Sequence, residues 1–319
     1  LGVLVVEIKP SGRTNDNFLA TSHEYYLLFS PDPRGAEIGF FPLSEKQQDA
    51  YEHQDDQGAF KWRDFLRTGG FSTPQERPNS CYPIYFRPSD GEIALEDFDS
   101  AEKILPVDSE DKMRVWRKTP PSFLEHVEAG EIKVVKNRKG DWKVQIIDRI
   151  KDGVRPKSVW VGKEYDAASH GTKLLKAMFG EGKFSFPKSL YATKDVLHVA
   201  TGSSDDALVL DYFAGSGTTG HAVLQLNRED EGTRRFVLVE VGNHFDDVMI
   251  ARIKKAVYSE KWKDGKPVNT DTGVSFIGKY LRLESYEDAL NNLEVHRTEK
   301  QQLLLDAPDA QGKEGLREQ

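Results

Sequence analysis

Cysteine is almost absent from this sequence, because Cys81 is the one thiol among 319 residues. A single cysteine excludes an internal disulfide and a cysteine-rich zinc site, and it predicts an ordinary buried thiol in a reducing cytoplasm. We predict no metal site. Long apolar runs are absent as well: none reaches the roughly 20 residues that cross a bilayer, so no membrane partner is expected. The hydrophobic share of 38% and the five tryptophans nevertheless indicate a folded protein.

Basic residues are not in excess either, since 44 lysines and arginines face 52 aspartates and glutamates, a net charge of −8. Their distribution is uneven. Residues 112–188 hold 18 basic and 9 acidic residues, whereas residues 89–111 hold nine acidic residues and one lysine. Such a basic block could neutralise DNA phosphates and release their counterions. A solvated charged surface is the usual reason for a run of this kind, and charge alone favours it.

The most informative stretch present is Leu208–Val223, an apolar run that ends in Asp211, turns through two glycines and leads into a helix. Glycine is needed where the backbone turns sharply and a ligand approaches closely. About 20 residues later, residues 235–240 predict a second buried strand that ends in a carboxylate, which suits hydrogen bonding to ribose hydroxyls. No Gly-Lys-Ser/Thr follows, so the loop is not a P-loop. The pattern predicts a Rossmann-like site for a nucleoside cofactor.

The string Asp-Tyr-Phe-Ala-Gly-Ser-Gly-Thr-Thr-Gly-His-Ala resembles the cofactor motif of S-adenosylmethionine-dependent DNA methyltransferases, in their amino-methylating branch. The resemblance implies that the cofactor is S-adenosylmethionine and that Glu240 holds its ribose. It implies a loop formed by Asp211, Phe213, Ala214, Gly215, Ser216, Gly217 and Thr218. A glycine-rich turn without a ligand is the alternative.

Just upstream, residues 184–190 resemble the segment that these enzymes place beside the methionine end of the cofactor. The resemblance implies contacts from Phe186, Pro187 and Lys188, followed by a helix from Ser189 to Thr201. A proline near a helix start fits this interpretation, because its missing N–H costs nothing there. Phe184 and Phe186 could equally be core residues.

Further strings are similar to the modification (Mod) subunits of type III restriction–modification systems. They are Arg13-Thr14, Ser22–Phe29, Gly69–Pro83, Val257–Pro267 and Leu283–Leu293. This resemblance implies site-specific adenine-N6 methylation of a flipped base in double-stranded DNA, in the cytoplasm of a bacterium or archaeon. It also implies a Mod homodimer and a possible restriction (Res) subunit as partner. Cytosine-N4 transfer uses similar motifs, and the chemistry alone leaves it open.

One motif of that family is missing. Its members hold the target amine with an Asp-Pro-Pro-Tyr-like tetrapeptide, and Pro31-Asp32-Pro33-Arg34 lacks both the consecutive prolines and the aromatic residue. In the motif order of type III subunits the tetrapeptide would precede Leu1. We therefore expect a C-terminal part of a longer enzyme, inactive alone, and assign no catalytic residue. A non-catalytic DNA-binding remnant and an NAD-dependent oxidoreductase, which would explain the G-x-G-x-x-G pattern, are the alternatives.

Two segments are candidates for DNA contact. Residues 131–147 predict a β-hairpin whose tip carries cations, and residues 67–78 predict a Gly- and Pro-rich loop near the flipped base. A polar hairpin tip and an inert connector are the alternatives. The predicted phosphate contacts are Arg67, Arg77, Arg138, Lys139, Arg155 and Lys157.

The predicted fold is α/β, a Rossmann-like methyltransferase sheet with an inserted, partly β target-recognition region. Strands are predicted at 2–8, 24–30, 207–211, 235–240 and 273–277, the 207–211 and 235–240 pair being parallel. A helical segment is predicted at 43–66, and β structure within 85–160. The predicted domains are 1–84, the remainder of the catalytic half; 85–165, the target-recognition insert; 166–295, the S-adenosylmethionine-binding half; and 296–319, a polar tail.

Overall fold

The computed structural model describes residues 1–13, 16–202, 204–293 and 296–306. The chain divides into two compact units, Leu1–Gly273 and Val274–Gln319. Thr14 and residues 307–319, which include most of the predicted polar tail, lie outside the described residues.

The strands are β1 (Gly2–Glu7), β2 (His23–Leu28), β3 (His53–Asp55), β4 (Gly58–Asp64), β5 (Leu66–Arg67), β6 (Ile84–Phe86), β7 (Ile93–Ala94), β8 (Glu102–Ile104), β9 (Val115–Trp116), β10 (Ile132–Lys136), β11 (Trp142–Arg149), β12 (Val159–Trp160), β13 (Leu208–Asp211), β14 (Arg235–Leu238), β15 (Trp262–Lys263) and β16 (Lys266–Pro267). The α-helices are α1 (Glu45–Asp49), α2 (Pro120–Glu128), α3 (Leu174–Phe179), α4 (Leu190–Thr201), α5 (Thr218–Asp230), α6 (Ala251–Tyr258), α7 (Tyr286–Asn291) and α8 (Glu299–Asp306). Short 3₁₀ turns lie at Pro78–Ser80 and Lys163–Tyr165, and π-helical turns at Ala168–Lys173 and Phe245–Ile250.

The first sheet has the order β12-β1-β2, with β1 parallel to β12 and antiparallel to β2. Alternate β1 residues, Leu4 and Val6, are buried against Trp160 and against Ala192 and Val199 of α4. The predicted strands 2–8 and 24–30 are confirmed, each ending one or two residues early. So is the helix at Ser189–Thr201, where the Ser189 side chain caps α4 by accepting from the Ala192 N–H at 3.4 Å.

The second sheet is antiparallel, with the order β10-β11-β4-β3. The predicted hairpin is confirmed, since β10 pairs with β11 from Ile132↔Ile146 to Lys136↔Trp142. Apolar residues on one face of this sheet pack with β6, β8, β9 and α2 into a core that includes Phe65, Trp116 and Phe123. The predicted β character of the 85–160 segment is confirmed.

The third sheet consists of β13 and β14, which are parallel as predicted, with the register Leu208↔Arg235 to Asp211↔Leu238. Helix α5 connects them and packs against β14, α4 and α6. The first two turns of α5 are almost entirely buried, including Ala222 and Val223. Taken together, the fold is mixed α/β with several sheets. Within the described residues no helix combines the length and apolarity needed to cross a membrane.

Two secondary-structure predictions are wrong. The segment 43–66 holds the short helix α1 but then forms β3 and β4, because Phe60-Lys61-Trp62-Arg63 alternates with the period of a strand and pairs with β11. Residues 273–277 form no strand. Ile277 is fully exposed, and a strand there would need a hydrogen-bonded neighbour.

Candidate functional site

The glycine-rich loop (residues 212–217) lies where the carboxyl ends of β13 and β14 meet. Parallel pairing puts Asp211 beside Leu238, so the residues after each strand are neighbours. The Ala214 N–H donates to the Val239 carbonyl at 3.0 Å, and the Gly215 N–H donates to Glu240 Oε2 at 2.7 Å. Glu240, the predicted ribose acid, is therefore joined directly to the loop.

The Glu240 carboxylate is held by backbone donors. Its Oε1 accepts from the N–H groups of Val241 at 2.9 Å and Gly242 at 2.7 Å. Partial burial by itself raises the pKa of Glu240, but the hydrogen bonds from Gly242 and Gly215, together with His244 3.6 Å away, outweigh it and lower the pKa. The group is thus an ionised acceptor, and its remaining lone pairs can accept further hydroxyl donors.

Asp211 stabilises the first residues of the loop. One carboxylate oxygen accepts from the Phe213 N–H at 3.0 Å, and the other accepts from Thr219 Oγ1 at 2.6 Å. The side chain thereby ties the end of β13 to the first turn of α5. Its role in this geometry is to fix the turn.

Three glycines are required by the loop and by the helix that follows. Gly215 and Gly217 have φ of 53° and 76°, in the left-handed region that favours glycine. A Cβ at Gly217 would also lie 2.9 Å from Met249 Cγ. A Cβ at Gly220 would lie 2.8 Å from Ile253 and 2.9 Å from Leu238, so this glycine allows α5 to pack closely on β14.

A buried arginine supports the loop from behind. Arg252 of α6 is completely inaccessible to solvent, and its Nη1 donates to Ser216 Oγ at 2.9 Å and Thr218 Oγ1 at 2.8 Å. Its Nε donates to His221 Nδ1 at 3.3 Å, whereas its Nη2 has no hydrogen-bond partner in the described part of the chain. The hydroxyls of Ser216 and Thr218 are thereby fixed by Arg252, and each keeps its own O–H as a donor.

Burial lowers the pKa values of the two ionisable side chains behind the loop, Arg252 and His221. It lowers the pKa of Arg252 to about 9, and it lowers the pKa of His221 well below its ordinary value, with the nearby Arg252 charge acting in the same direction. His221 is therefore a neutral acceptor and Arg252 remains a cation at neutral pH. Arg252 was not among the predicted site residues, although an arginine on the same face of α6 as the apolar Ile253 and Ala256 can be recognised from the sequence.

The segment 184–188 reaches the loop through Phe184. Its ring packs edge-on against His244 at 4.9 Å, and its Cζ lies 3.5 Å from where a Cβ of Gly215 would be. Phe186 is 94% exposed with φ of 57°, and Phe213 in the loop is 89% exposed, so two aromatic rings face solvent near this turn of the chain. Lys188 pairs instead with Glu24 of β2, Nζ to Oε2 at 2.6 Å. Pro187 packs its carbonyl against Gly171.

The residues predicted to contact DNA lie in several places. Arg67 donates its Nε and Nη2 to the Gly70 carbonyl, at 3.0 and 2.8 Å, and Arg77 precedes the 3₁₀ turn Pro78–Ser80. Arg138 and Lys139 are exposed at the tip of the β10–β11 hairpin. Arg155 and Lys157, also exposed, follow the other end of β11, whose eight residues span roughly 25 Å at the rise of a strand. The tip pair and the 155–157 pair are therefore separate groups.

Comparison with known proteins gives this architecture a family. The family model described as DNA methylase, N6_N4_Mtase, matches residues 4–289, and the chain belongs to that family.

The curated relatives are a type II methyltransferase and the Mod subunits of type III restriction–modification enzymes. The chain is 29% identical over 245 residues to the type II methyltransferase M.KpnI of Klebsiella pneumoniae, covering 76% of this chain and 56% of that protein. It is 28% identical over 244 residues to the EcoPI Mod subunit, a type III restriction–modification enzyme of Escherichia phage P1, covering 71% and 36% respectively. It is 42% identical over 89 residues to the type III StyLTI Mod subunit of Salmonella typhimurium, covering 28% and 13%. The resemblance to type III modification subunits is confirmed, and the chain spans about half or less of the length of these relatives.

Proposed function

We propose that the protein containing this chain transfers a methyl group from S-adenosylmethionine to the N6 amine of adenine at a specific site in double-stranded DNA. One observation carries the proposal. The Gly215 N–H of the glycine-rich loop donates to the ionised Glu240 carboxylate, in a chain of the DNA methylase family. The matched relatives are named as methyltransferases and restriction–modification enzymes, which supports this target class.

The residues present fit S-adenosylmethionine. Glu240 offers acceptor capacity for ribose hydroxyls, Gly215 presents backbone without a side chain, and the exposed rings of Phe186 and Phe213 offer apolar surface. Ser216 and Thr218 accept hydrogen bonds from Arg252, which would orient their hydroxyls beside the loop backbone that the cofactor meets. When bound, the cofactor supplies an electrophilic methyl group on a sulfonium.

This chain would contribute orientation to the reaction. Asp211, Glu240 and Arg252 hold the loop through hydrogen bonds made within the chain, so they would fix the backbone that the cofactor meets. Methyl transfer to an amine needs no covalent enzyme intermediate, and its rate rests on the alignment of amine and methyl carbon. The tetrapeptide that would hold the amine is not in this sequence, and we propose that it belongs to the remainder of a longer enzyme.

Two open apolar sheet faces support a longer, Rossmann-like enzyme. On β13 and β14, Leu208, Leu210 and Val237 are exposed on the face opposite α5. On the first sheet, the exposed residues are Val3, Tyr25, Leu27, Val159 and Val161. Parallel pairs such as β13–β14 are normally covered on both faces, and contiguous apolar patches on either kind of sheet mark interaction surfaces, so we propose that further segments of the protein cover these.

We also propose that the β-rich part of the chain reads the DNA. The strands β10 and β11 of the predicted target-recognition region form one sheet with β3 and β4, which supports a region that begins near His53. Arg67, Arg77, Arg138 and Lys139 are proposed phosphate contacts there, and Arg155 and Lys157 a separate group. A Mod homodimer and a Res subunit are the proposed protein partners.

Calorimetric titration tests the cofactor. We expect heat from S-adenosylmethionine and none from NAD, and an affinity about tenfold weaker for Glu240→Gln, because the amide is a poorer acceptor for ribose hydroxyls. Binding of NAD in place of S-adenosylmethionine would establish the oxidoreductase alternative. Glu231→Gln, an exposed acid after α5, is the matched control.

The reaction itself is tested on the full-length protein. After incubation with duplex DNA and S-adenosylmethionine, nucleoside mass spectrometry should show N6-methyladenine. N4-methylcytosine would change the target base, and DNA binding without transfer of any methyl group would establish the non-catalytic alternative.

A further inference from the structure

Three arginines lie side by side next to the β4–β11 pair. β5 pairs with β9 in the register Leu66↔Trp116 and Arg67↔Val115, which places Arg117 opposite Phe65, midway along the strand direction between Arg63 and Arg67. The Arg117 N–H donates to the Phe65 carbonyl at 3.1 Å, and its Nε donates to the Asp64 carbonyl at 2.7 Å. Strand pairing therefore fixes the base of all three side chains.

These guanidinium groups are held mainly by backbone carbonyls rather than by carboxylates. Arg67 donates to the Gly70 carbonyl through Nε and Nη2, and Arg117 to the Asp64 carbonyl through Nε. Arg63 is the exception, with Nη1 at 3.5 Å from Asp148 Oδ1, a long contact on a partly exposed side chain.

The nearby acids are already engaged. Asp64 pairs with Lys143 at 3.3 Å, and Glu76 accepts from Thr73 Oγ1 at 2.7 Å. A guanidinium carries five N–H donors, so among the described residues Arg117 keeps four without a partner and Arg67 keeps three.

The charges of Arg63 and Arg67 act on Arg117. The pKa of Arg117 is lowered, first by its partial burial and then by Arg63 and Arg67, and these effects together exceed the attraction of Asp148 and Asp64. Arg87, by contrast, bonds to Asp90 at 2.7 Å and also to Glu92. Guanidinium groups with free donors match an oxyanion whose two terminal oxygens can each accept several hydrogen bonds, such as a phosphodiester.

We propose that Arg63, Arg67 and Arg117 form a clamp for a phosphate of the DNA backbone. The clamp rests on the proposed function, which supplies DNA as the partner, and it assigns Arg63 and Arg117 to a contact that the sequence analysis gave to Arg67 alone. Its chemistry is independent of base identity, so it positions the duplex rather than reading its sequence.

Fluorescence anisotropy with a labelled mixed-sequence duplex tests the clamp, over a series of salt concentrations and without cofactor. For Arg117→Gln and for Arg63→Gln, we expect weaker binding and a salt slope reduced by about 0.9 for each phosphate that the variant no longer neutralises. Arg87→Gln removes the same charge from an arginine that Asp90 and Glu92 already neutralise, and its slope should equal that of the parent chain.

Arg117→Lys distinguishes a lost phosphate contact from a loss of folding, because it retains the charge but not the planar guanidinium group. We expect it to bind between the parent and Arg117→Gln, with an unchanged melting temperature. Equal slopes for the parent, Arg117→Gln and Arg63→Gln, or equally weakened binding for these variants and Arg87→Gln, would overturn the clamp while leaving the proposed function intact. A full-length parent protein that binds no duplex would overturn both.

Discussion

The glycine-rich loop and the antiparallel β10-β11-β4-β3 sheet use charge in opposite ways. Around the loop, Asp211, Glu240 and Arg252 spend their hydrogen bonds on the loop and on α5. Beside the sheet, Arg67 and Arg117 bond backbone carbonyls and keep most donors open. In the proposed function, the first arrangement fixes the loop that meets the cofactor, whereas the second leaves charge available to DNA. Substitutions in the loop should therefore affect folding and the cofactor, and substitutions at the sheet should affect DNA.

The largest effect is expected for Arg252→Ala. The change opens a cavity in α6 and leaves Ser216 Oγ and Thr218 Oγ1 without their donor, and we expect a decrease of about 3 kcal/mol in the free energy of unfolding. Urea denaturation measures it. Lys254→Ala, on the exposed side of the same helix, should stay within about 0.5 kcal/mol. Equal stability of both variants would show that the Arg252 network does not support the loop.

Gly217→Ala should come next. The left-handed φ of 76° and the 2.9 Å approach to Met249 both oppose a Cβ, so we expect a destabilisation of about 1–2 kcal/mol and a distorted loop. Thermal unfolding and titration with S-adenosylmethionine measure the two consequences. Gly182→Ala, where a Cβ would have nothing within 4 Å, is the control and should leave both unchanged. Tight cofactor binding by Gly217→Ala would contradict the role given to this turn.

Glu240→Gln should cost about 1 kcal/mol at neutral pH, because hydrogen bonds to a carboxylate are about twice as strong as those to an amide. The folded-state pKa of Glu240 lies below its unfolded value, so its contribution is complete above about pH 4.3 and disappears as pH falls through the folded pKa. Thermal unfolding between pH 7 and pH 3 should show a smaller decrease in stability for the variant. Parallel pH profiles would mean that the carboxylate is not held as an ion.

Arg138→Gln should have the smallest effect on folding, within about 0.5 kcal/mol, since the side chain is exposed at the hairpin tip. If the tip contacts one phosphate, the salt slope of duplex binding falls by about 0.9. Anisotropy titration measures the slope, with Arg34→Gln, exposed in a different part of the chain, as control. A large decrease in stability for Arg138→Gln would remove the contrast between the sheet and the loop.

Local patterns predicted the loop region well. The strand, glycine turn and helix of Leu208–Val223 are contiguous in sequence, and the parallel partner follows soon after it, so short-range rules suffice. The cap at Ser189 is likewise a local signal. Arg252 was missed because arginine is rarely buried. Its burial here depends on the packing of α6 against α5, which the residue type does not reveal.

Long-range pairing explains the larger errors. The alternation at Phe60 to Arg63 was readable, but its partner in β11 lies more than eighty positions away, with Lys61 opposite Asp148. The nearer partner, β3, is only three residues long, so the helix prediction also overlooked a local hairpin. The same limit applies to Arg63 and Arg117, whose proximity arises from the pairing of β5 with β9.

The π-helical turn Phe245–Ile250 gives this protein a place where its length can change. Its hydrogen bonds span five residues rather than four, so it holds one residue more than an α-helical turn would. Because the wider turn absorbs that residue, its loss would leave an ordinary α-helical turn and would keep the direction in which α6 presents Arg252 to Ser216 and Thr218. Homologous chains should therefore tolerate a one-residue deletion at this turn and still carry an arginine at the position of Arg252.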